Sequence, residues 1–308
     1  MSNEIELGEP KVLVSNLPTF GGGGGKLDFD QPYLATAMRA NRSKEVRPGL
    51  TIGQEIAENV DELLHLHEGQ TLLDLGCGPG LISYYLTPKL GEKGWLYCLD
   101  ASHCMIDEAK SVLFGKRATL IYGDIHVVDK LVPEKVDAAF LSGNVHLLTN
   151  RGLAFKAIWD SLKPNGQLVI VCHAYSARKG NETNSFASLI DGLREKRQPG
   201  LKVDGLRLPF LSLNEILDIS NVLVQSGFSI SFNEKDSSSS DLYAVLGFPP
   251  TLTIEKRLEA IDPRAPKSSV HNRACSILSE ISRGTSAQLY LLCSKKEVPS
   301  RHKVPGSR

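Results

Sequence analysis

The sequence predicts an α/β fold, a mostly parallel sheet with helices on both faces, from three observations. Short apolar runs alternate with helical stretches between Thr71 and Cys172. These runs show no polar alternation, as strands buried on both faces require. A glycine-rich turn, Gly76-Cys77-Gly78-Pro79-Gly80, joins the first such run to the first helix.

The elements follow in order. Residues 1–30 show no firm periodicity, and the run Gly21 to Gly25 reads as a loop. It does not read as a phosphate loop, because no strong strand precedes it and no Lys-Ser/Thr pair follows. Gln31 to Ser43 reads as a helix. Thr51 and Gln54 box the start of the next, with Ile52, Ile56, Val60 and Leu63 on one face. Strands are expected at Thr71 to Leu75, Trp95 to Leu99, Thr119 to Tyr122, Ala138 to Leu141 and Gln167 to Cys172. Helices fall between them at Leu81 to Leu90, His103 to Phe114 and Arg151 to Leu162. This βαβ rhythm is the mark of a parallel sheet covered on both sides.

The rhythm breaks after Cys172. Asn181 to Lys196 reads as an inserted helix, and Ser212 with Glu215 boxes another that stops at Gly227. Phe228 to Phe232 is a strand, Asp236 to Asp241 a serine-rich loop, and Thr251 to Ile281 helical with breaks at Pro263 and Pro266. Gln288 to Cys293 is the last strand, with Asp241 to Phe248 as an alternative partner for Phe228 to Phe232. The resulting division is an N-terminal arm and helical cover (1–50), a main domain (51–295) with insertions at about 174–210 and 236–286, and a disordered tail (296–308).

Composition narrows the classes of function. Lysine and arginine number 35, aspartate and glutamate 35, so the net charge is zero. A neutral chain gives no broad footing for a phosphate backbone, which argues against nucleic acid. The six cysteines include no CxxC pair and sit largely in apolar runs, as reduced thiols of a cytoplasmic protein would. Glu4, Glu6 and Glu9 argue against a signal peptide, and the apolar runs are too short to span a bilayer. No His/Asp/Glu cluster has metal-ligand spacing, so no metal is expected.

The chemistry sits at strand ends. Glycines after Leu75 let a ligand approach the backbone, and the helix N-terminus that follows favours a carboxylate or phosphate. A dinucleotide fingerprint would place a third glycine where Leu81 stands, and Asp74 would repel a pyrophosphate. A zwitterionic amino acid bearing a sulfonium tolerates that charge better. Asp100 ends the second strand, where a carboxylate can accept from both hydroxyls of a ribose. Asp124 ends the third, where it can accept from an exocyclic amine.

Leu72 to Gly80, Leu99-Asp100-Ala101-Ser102 with Met105, Gly123-Asp124-Ile125, Val136-Asp137 to Leu148 and Leu162 to Gly166 together resemble the class I S-adenosylmethionine (SAM)-dependent methyltransferases. The resemblance is closest to the small-molecule branch that includes ubiquinone and menaquinone methyltransferases. It implies a Rossmann-like sheet of seven strands, the last antiparallel, with helical insertions forming a lid. SAM is then the cofactor and S-adenosylhomocysteine the product. The resemblance puts Asp74, Gly76, Cys77 and Gly78 around the methionine part. It puts Asp100 and Ala101 at the ribose, Met105 against the adenine, and Asp124 and Ile125 at its edge. Ser142 borders the sulfonium, and Tyr33 closes over the cofactor.

Leu141-Ser142-Gly143-Asn144-Val145-His146 departs from the Asn/Asp-Pro-Pro-Tyr/Phe motif of amino-methylating enzymes. The expected acceptor is therefore a small organic, biosynthetic molecule. His146 and His173 follow the fourth and fifth strands and are the candidate bases, ahead of Tyr175. The alternatives are a SAM-binding cyclase or decarboxylase of the same fold, and a non-catalytic regulator or complex subunit. A homodimer is compatible with this reading.

Overall fold

The structure is a computed structural model that describes residues 8–17, 30–176, 202–203, 206–207, 210–211, 213–234, 255, 259, 263–281 and 285–295. Its elements in chain order are β1 (Lys11–Val14), α1 (Pro32–Arg42), β2 (Glu45–Arg47), β3 (Leu50–Thr51), α2 (Ile52–Leu64), β4 (Thr71–Leu75), α3 (Leu81–Leu90), β5 (Trp95–Asp100), α4 (His103–Val112) and β6 (Ala118–Tyr122). There follow β7 (Val136–Ser142), α5 (Arg151–Ser161), β8 (Leu162–Ser176), β9 (Lys202–Val203), β10 (Leu206–Arg207), β11 (Phe210–Leu211), α6 (Leu213–Gln225), β12 (Phe228–Glu234), α7 (Lys267–Ile281) and β13 (Thr285–Lys295).

The main sheet runs β1-β6-β5-β4-β7-β8-β13-β12, with β11 also paired to β8. Pairs from β1 through β8 are parallel, and β13 lies antiparallel between β8 and β12. The seven expected strands are all present, in a Rossmann-like order. Two additions enlarge the sheet: β1 on the outer edge of β6, and β11 beside β8. The strand paired with Phe228 to Phe232 is β13. The alternative at 241–248 lies outside the described residues, as do the glycine run at 21–25, the inserted helix at 181–196, the loop at 236–241 and the tail at 296–308.

Alternation along each strand divides the core in two. Leu73, Leu75, Leu99, Ile121, Leu141 and Ile170 face α5 and α6. Leu72, Leu96, Cys98, Leu120, Phe140 and Val169 face α2, α3 and α4. Burial on both faces explains the unbroken apolar runs in the sequence. The helix ends follow local chemistry. The Thr51 hydroxyl accepts from the Gln54 N–H, capping α2. Gly227, at φ +103°, ends the turn after α6, where a Cβ would meet the Trp159 ring at 3.1 Å.

Chain order runs outward from β4 in both directions: β5 then β6 on one side, β7 then β8 on the other. That reversal opens a crevice beyond the carboxyl ends of β4 and β7, where ligands bind in open α/β sheets. At the opposite ends of these strands, Asp137 Oδ2 accepts from the Thr71 N–H and hydroxyl, each at 2.8 Å, and from Lys163 Nζ at 2.8 Å. This knot ties β4, β7 and the start of β8. Asp137→Ala leaves the Thr71 amide without its acceptor and should cost about 1–3 kcal/mol. Urea unfolding monitored by circular dichroism checks this, and an unchanged midpoint would contradict it.

Candidate functional site

The site is assembled where four strand ends and one covering helix meet. β4 ends at Leu75, and the chain turns through Gly76, Gly78 and Gly80 at φ +73°, +53° and +77°. Side chains rarely adopt such backbone angles, so this path requires glycine. The Gly76 and Cys77 amides donate to Leu99 O at 2.7 and 2.9 Å, which lays the loop against the end of β5.

Asp100, the last residue of β5, holds the next bend. Its Oδ2 accepts from the Gly78 N–H at 2.8 Å and its Oδ1 from the Ser102 N–H at 2.9 Å. Burial raises its pKa to about 6, against the opposing pull of the Gly78, Ser102 and Ala101 amides. Each carboxylate oxygen has two acceptor sites, so the loop bonds leave room for hydroxyl donors.

Asp74 lies deeper than the sequence implied. It is 2% exposed, beneath the loop on the α3 face, and accepts from the Ser83 hydroxyl at 2.7 Å. Burial pushes its pKa up to about 8; Ser83 opposes this, Asp100 reinforces it, and the Arg42 cation opposes it. Arg42, at the end of α1, is itself held below its usual pKa by burial. Its Nη2 would lie 3.4 Å from a Cβ at Gly143.

The α1 helix covers the loop. Leu34 and Ala35 pack with Met105, and Met38 packs against that group. Met38 Cε would lie 3.8 Å from a Cβ at Gly78. Asp30, just before α1, accepts from the Ser102 hydroxyl at 3.1 Å and the Cys104 N–H at 2.9 Å, fixing the cover to the start of α4. Tyr33 lies on α1 and is 43% exposed. Ala101 follows Asp100 directly at the mouth of the loop.

At the end of β6, Asp124 caps the short helical turn that begins with Ile125. Its Oδ1 accepts from the His126 N–H at 2.9 Å and bonds His126 Nδ1 at 2.5 Å. His126 Nε2 accepts from the Asn150 N–H, so the proton sits on Nδ1 and points at Asp124.

Across the crevice, β7 ends at Ser142, and Gly143 turns at φ +74°. Asn144 Nδ2 then reaches back to Leu75 O at 2.8 Å and Gly76 O at 3.2 Å. A Cβ at Gly76 would overlap this amide, so Gly76 is small for a close approach as well as for its φ. Asn144 Oδ1 is buried without a hydrogen-bond partner. His146 is buried in the turn that follows. His173 lies on β8 in register with Gln288 of β13 and Phe210 of β11, and Tyr175 in register with Ser286.

Asp74, Gly76, Cys77, Gly78, Asp100, Ala101 and Met105 thus gather around one loop, with Ser142 across the crevice and Asp124-Ile125 on the next strand out. Arg42, Asn144, Asp30 and His126 join them without having been marked by the sequence pattern. A cation in the last helical turn of α1 is ordinarily read as a helix-dipole partner, and nothing adjacent to Asn144 sets it apart. Among the described residues no group of three or more His, Cys, Asp or Glu is placed to hold a metal, and no helix is long and apolar enough to cross a membrane.

Comparison with known proteins agrees with this geometry. Residues 72–166 match the model of a methyltransferase domain. An uncharacterized methyltransferase of Schizosaccharomyces pombe is 23% identical over 200 residues, which is 63% of this chain and 73% of that protein. A phosphoethanolamine N-methyltransferase of Zea mays is 27% identical over 141 residues, 46% of this chain but only 27% of that protein. The structure of a SAM-dependent methyltransferase from Thiobacillus denitrificans with S-adenosylhomocysteine bound shares the fold, with a TM-score of 0.51. It is 16% identical and covers 87% of this chain and 100% of its own.

The buried acid beneath the loop gives a measurable signature. Asp74 ionises at about 3.9 in an unfolded chain and near 8 in the fold. Between these values the folded state holds the extra proton, so its stability falls as pH rises. Asp74→Asn removes that dependence. The melting temperature of the variant should therefore gain on wild type progressively from about pH 4 to pH 8, and parallel profiles would contradict the assignment. The loop geometry, the strand order and the domain match agree: this chain carries a methyltransferase domain of the SAM-dependent class.

Proposed function

We infer that the protein binds SAM in the crevice between β4 and β7 and transfers its methyl group to a small organic acceptor. The observation that carries this reading is the Asp100 carboxylate. It is fixed by two backbone amides at the mouth of a positive-φ glycine loop, with the Leu34, Ala35 and Met38 face of α1 packed on Met105 nearby. A nucleoside that carries a zwitterionic amino acid and a sulfonium suits those neighbours better than a polyphosphate, which the Asp100 carboxylate would repel.

In this reading Asp100 accepts from the ribose hydroxyls and Asp124, oriented by His126, accepts from the adenine amine. Ile125 and Met105 pack near the base, and Cys77, Gly78 and Ala101 line the approach. Ser142 borders the sulfonium and Tyr33 closes the cover. Arg42 meets the carboxylate of the methionine part. Bound SAM supplies an already activated methyl group, and the chain's own residues align the acceptor and exclude water. Met38, Leu34 and the rest of α1 serve the second task. An acceptor that must lose a proton would find its base in His146 or His173.

A small organic acceptor is supported by the zero net charge and by Ser142-Gly143-Asn144 standing where amino-methylating enzymes carry a proline motif. The zero net charge supports a protein that does not act on nucleic acid, and the cysteine usage, without CxxC pairs and largely in apolar runs, supports a cytoplasmic one. The insertions at about 174–210 and 236–286 are assigned to the acceptor pocket and the 1–50 segment to the cover.

Incubating the protein with methyl-labelled SAM and fractionated small-molecule extracts tests the activity. The expected outcome is label in an organic product with one S-adenosylhomocysteine formed per methyl transferred. Product formation from an acceptor with SAM unconsumed would instead mark a cyclase or decarboxylase that uses the cofactor as an electrostatic aid.

A further inference from the structure

We propose that Cys275, His271 and Glu255 form an activated-thiol site on α7 that is capped reversibly by a small-molecule disulfide. None of the three belongs to the residues gathered at the glycine loop, and the proposal does not depend on the cofactor reading.

The three side chains stand as nucleophile, base and orienting carboxylate. His271 and Cys275 are four residues apart on α7, the spacing that stacks side chains on one helix face. Cys275 Sγ lies 3.7 Å from His271 Nε2, within reach of a thiol hydrogen bond. Glu255, 16 residues before His271, meets the other side of the same ring, its Oε1 2.6 Å from Nδ1. Helical spacing accounts for the first contact; the second is brought by chain outside the helix. A carboxylate only accepts, so Nδ1 carries the imidazole proton. Nε2 is then the acceptor, and it faces the thiol. The ring can take the S–H proton, and Glu255 stabilises the imidazolium that forms.

Exposure decides what such a thiol meets. Cys98, Cys172 and Cys293 are buried, Cys77 and Cys104 half-buried, and Cys275 exposed. Val270 and Ala274 are buried on the adjoining face of α7, so the helix is held down while the thiol faces solvent. Lys267, one turn before His271 along the same face, adds a cation. An open thiol beside a base and a cation suits an anionic disulfide arriving from solvent. In the step, the S–H proton passes to His271 Nε2 and the Cys275 thiolate attacks one sulfur of that disulfide. A new S–S bond forms as the old one breaks, and Cys275 is oxidised to the mixed disulfide. The departing thiolate is the reduced half and takes the proton from His271.

The test incubates the protein with oxidised glutathione at neutral pH and reads capping of each cysteine by peptide mass spectrometry. Cys275 should be capped first, and faster in the native protein than in the urea-unfolded chain, where the same thiol has lost its base. His271→Ala should slow its capping about tenfold or more. Glu255→Gln still accepts from Nδ1 but lacks the charge, and should slow it about two- to fivefold. The rate at Cys104 should be the same in all three proteins, which reports an intact fold. If His271→Ala disturbs Cys104, the Glu255→Gln result decides. Equal Cys275 rates in wild type and variants would make exposure the whole cause and overturn the proposal. Capping no faster in the native than in the unfolded chain would overturn it, as would capping of Cys77 or Cys104 ahead of Cys275.

Discussion

The site depends on one carboxylate serving two masters. Asp100 ends β5 and must hold the glycine loop in its left-handed path through the Gly78 amide. It must also anchor α4 through the Ser102 amide. Desolvation raises its pKa to about 6, and the amides aimed at it oppose that rise. What remains of its acceptor capacity is pre-oriented by the same bonds. Loop conformation, helix start and ligand recognition therefore share one side chain, and a change there is felt by all three.

Charge beneath the loop extends the same logic. Asp74 is buried and Arg42 half-buried, and desolvation pushes each toward its neutral form. Arg42 arrives there only because α1 lies across the loop, and α1 stays there because Asp30 ties its start to α4. The N-terminal cover is thus an electrostatic component of the site as well as a lid. Ser83, by donating to Asp74, keeps the acid from standing alone.

The sequence carried most of the sheet. Strands β4 to β8 are unbroken apolar runs because both faces are covered, and the glycine loop announced the first crossover. Edge strand β1 was not legible: Val12 and Val14 face solvent, so Lys11–Val14 has no periodic apolar face. Strand ends also ran further than the apolar cores, as β13 does in pairing from Thr285 to Ser294 with β8. At the site, Asp100 and the glycines could be read because loop chemistry is local. Arg42 and Asn144 could not, since each acts across a gap of tens of residues that only the fold closes. Asp74 was recognisable as an acid before the glycines, but its depth follows from which face of β4 it occupies. Asp124 could be read as a strand-end acid, yet its bond to His126 depends on the turn it caps.

The central claim is that this crevice is a SAM site organised by Asp100. Calorimetric titration with SAM tests it most directly, comparing wild type with Asp100→Asn, which keeps the shape and an acceptor but removes the charge. The account predicts micromolar binding by wild type, roughly −8 kcal/mol, and a loss of about tenfold or more in the variant. Absence of SAM binding to folded wild-type protein would contradict the assignment. Equal affinities for the two proteins would contradict the role given to Asp100.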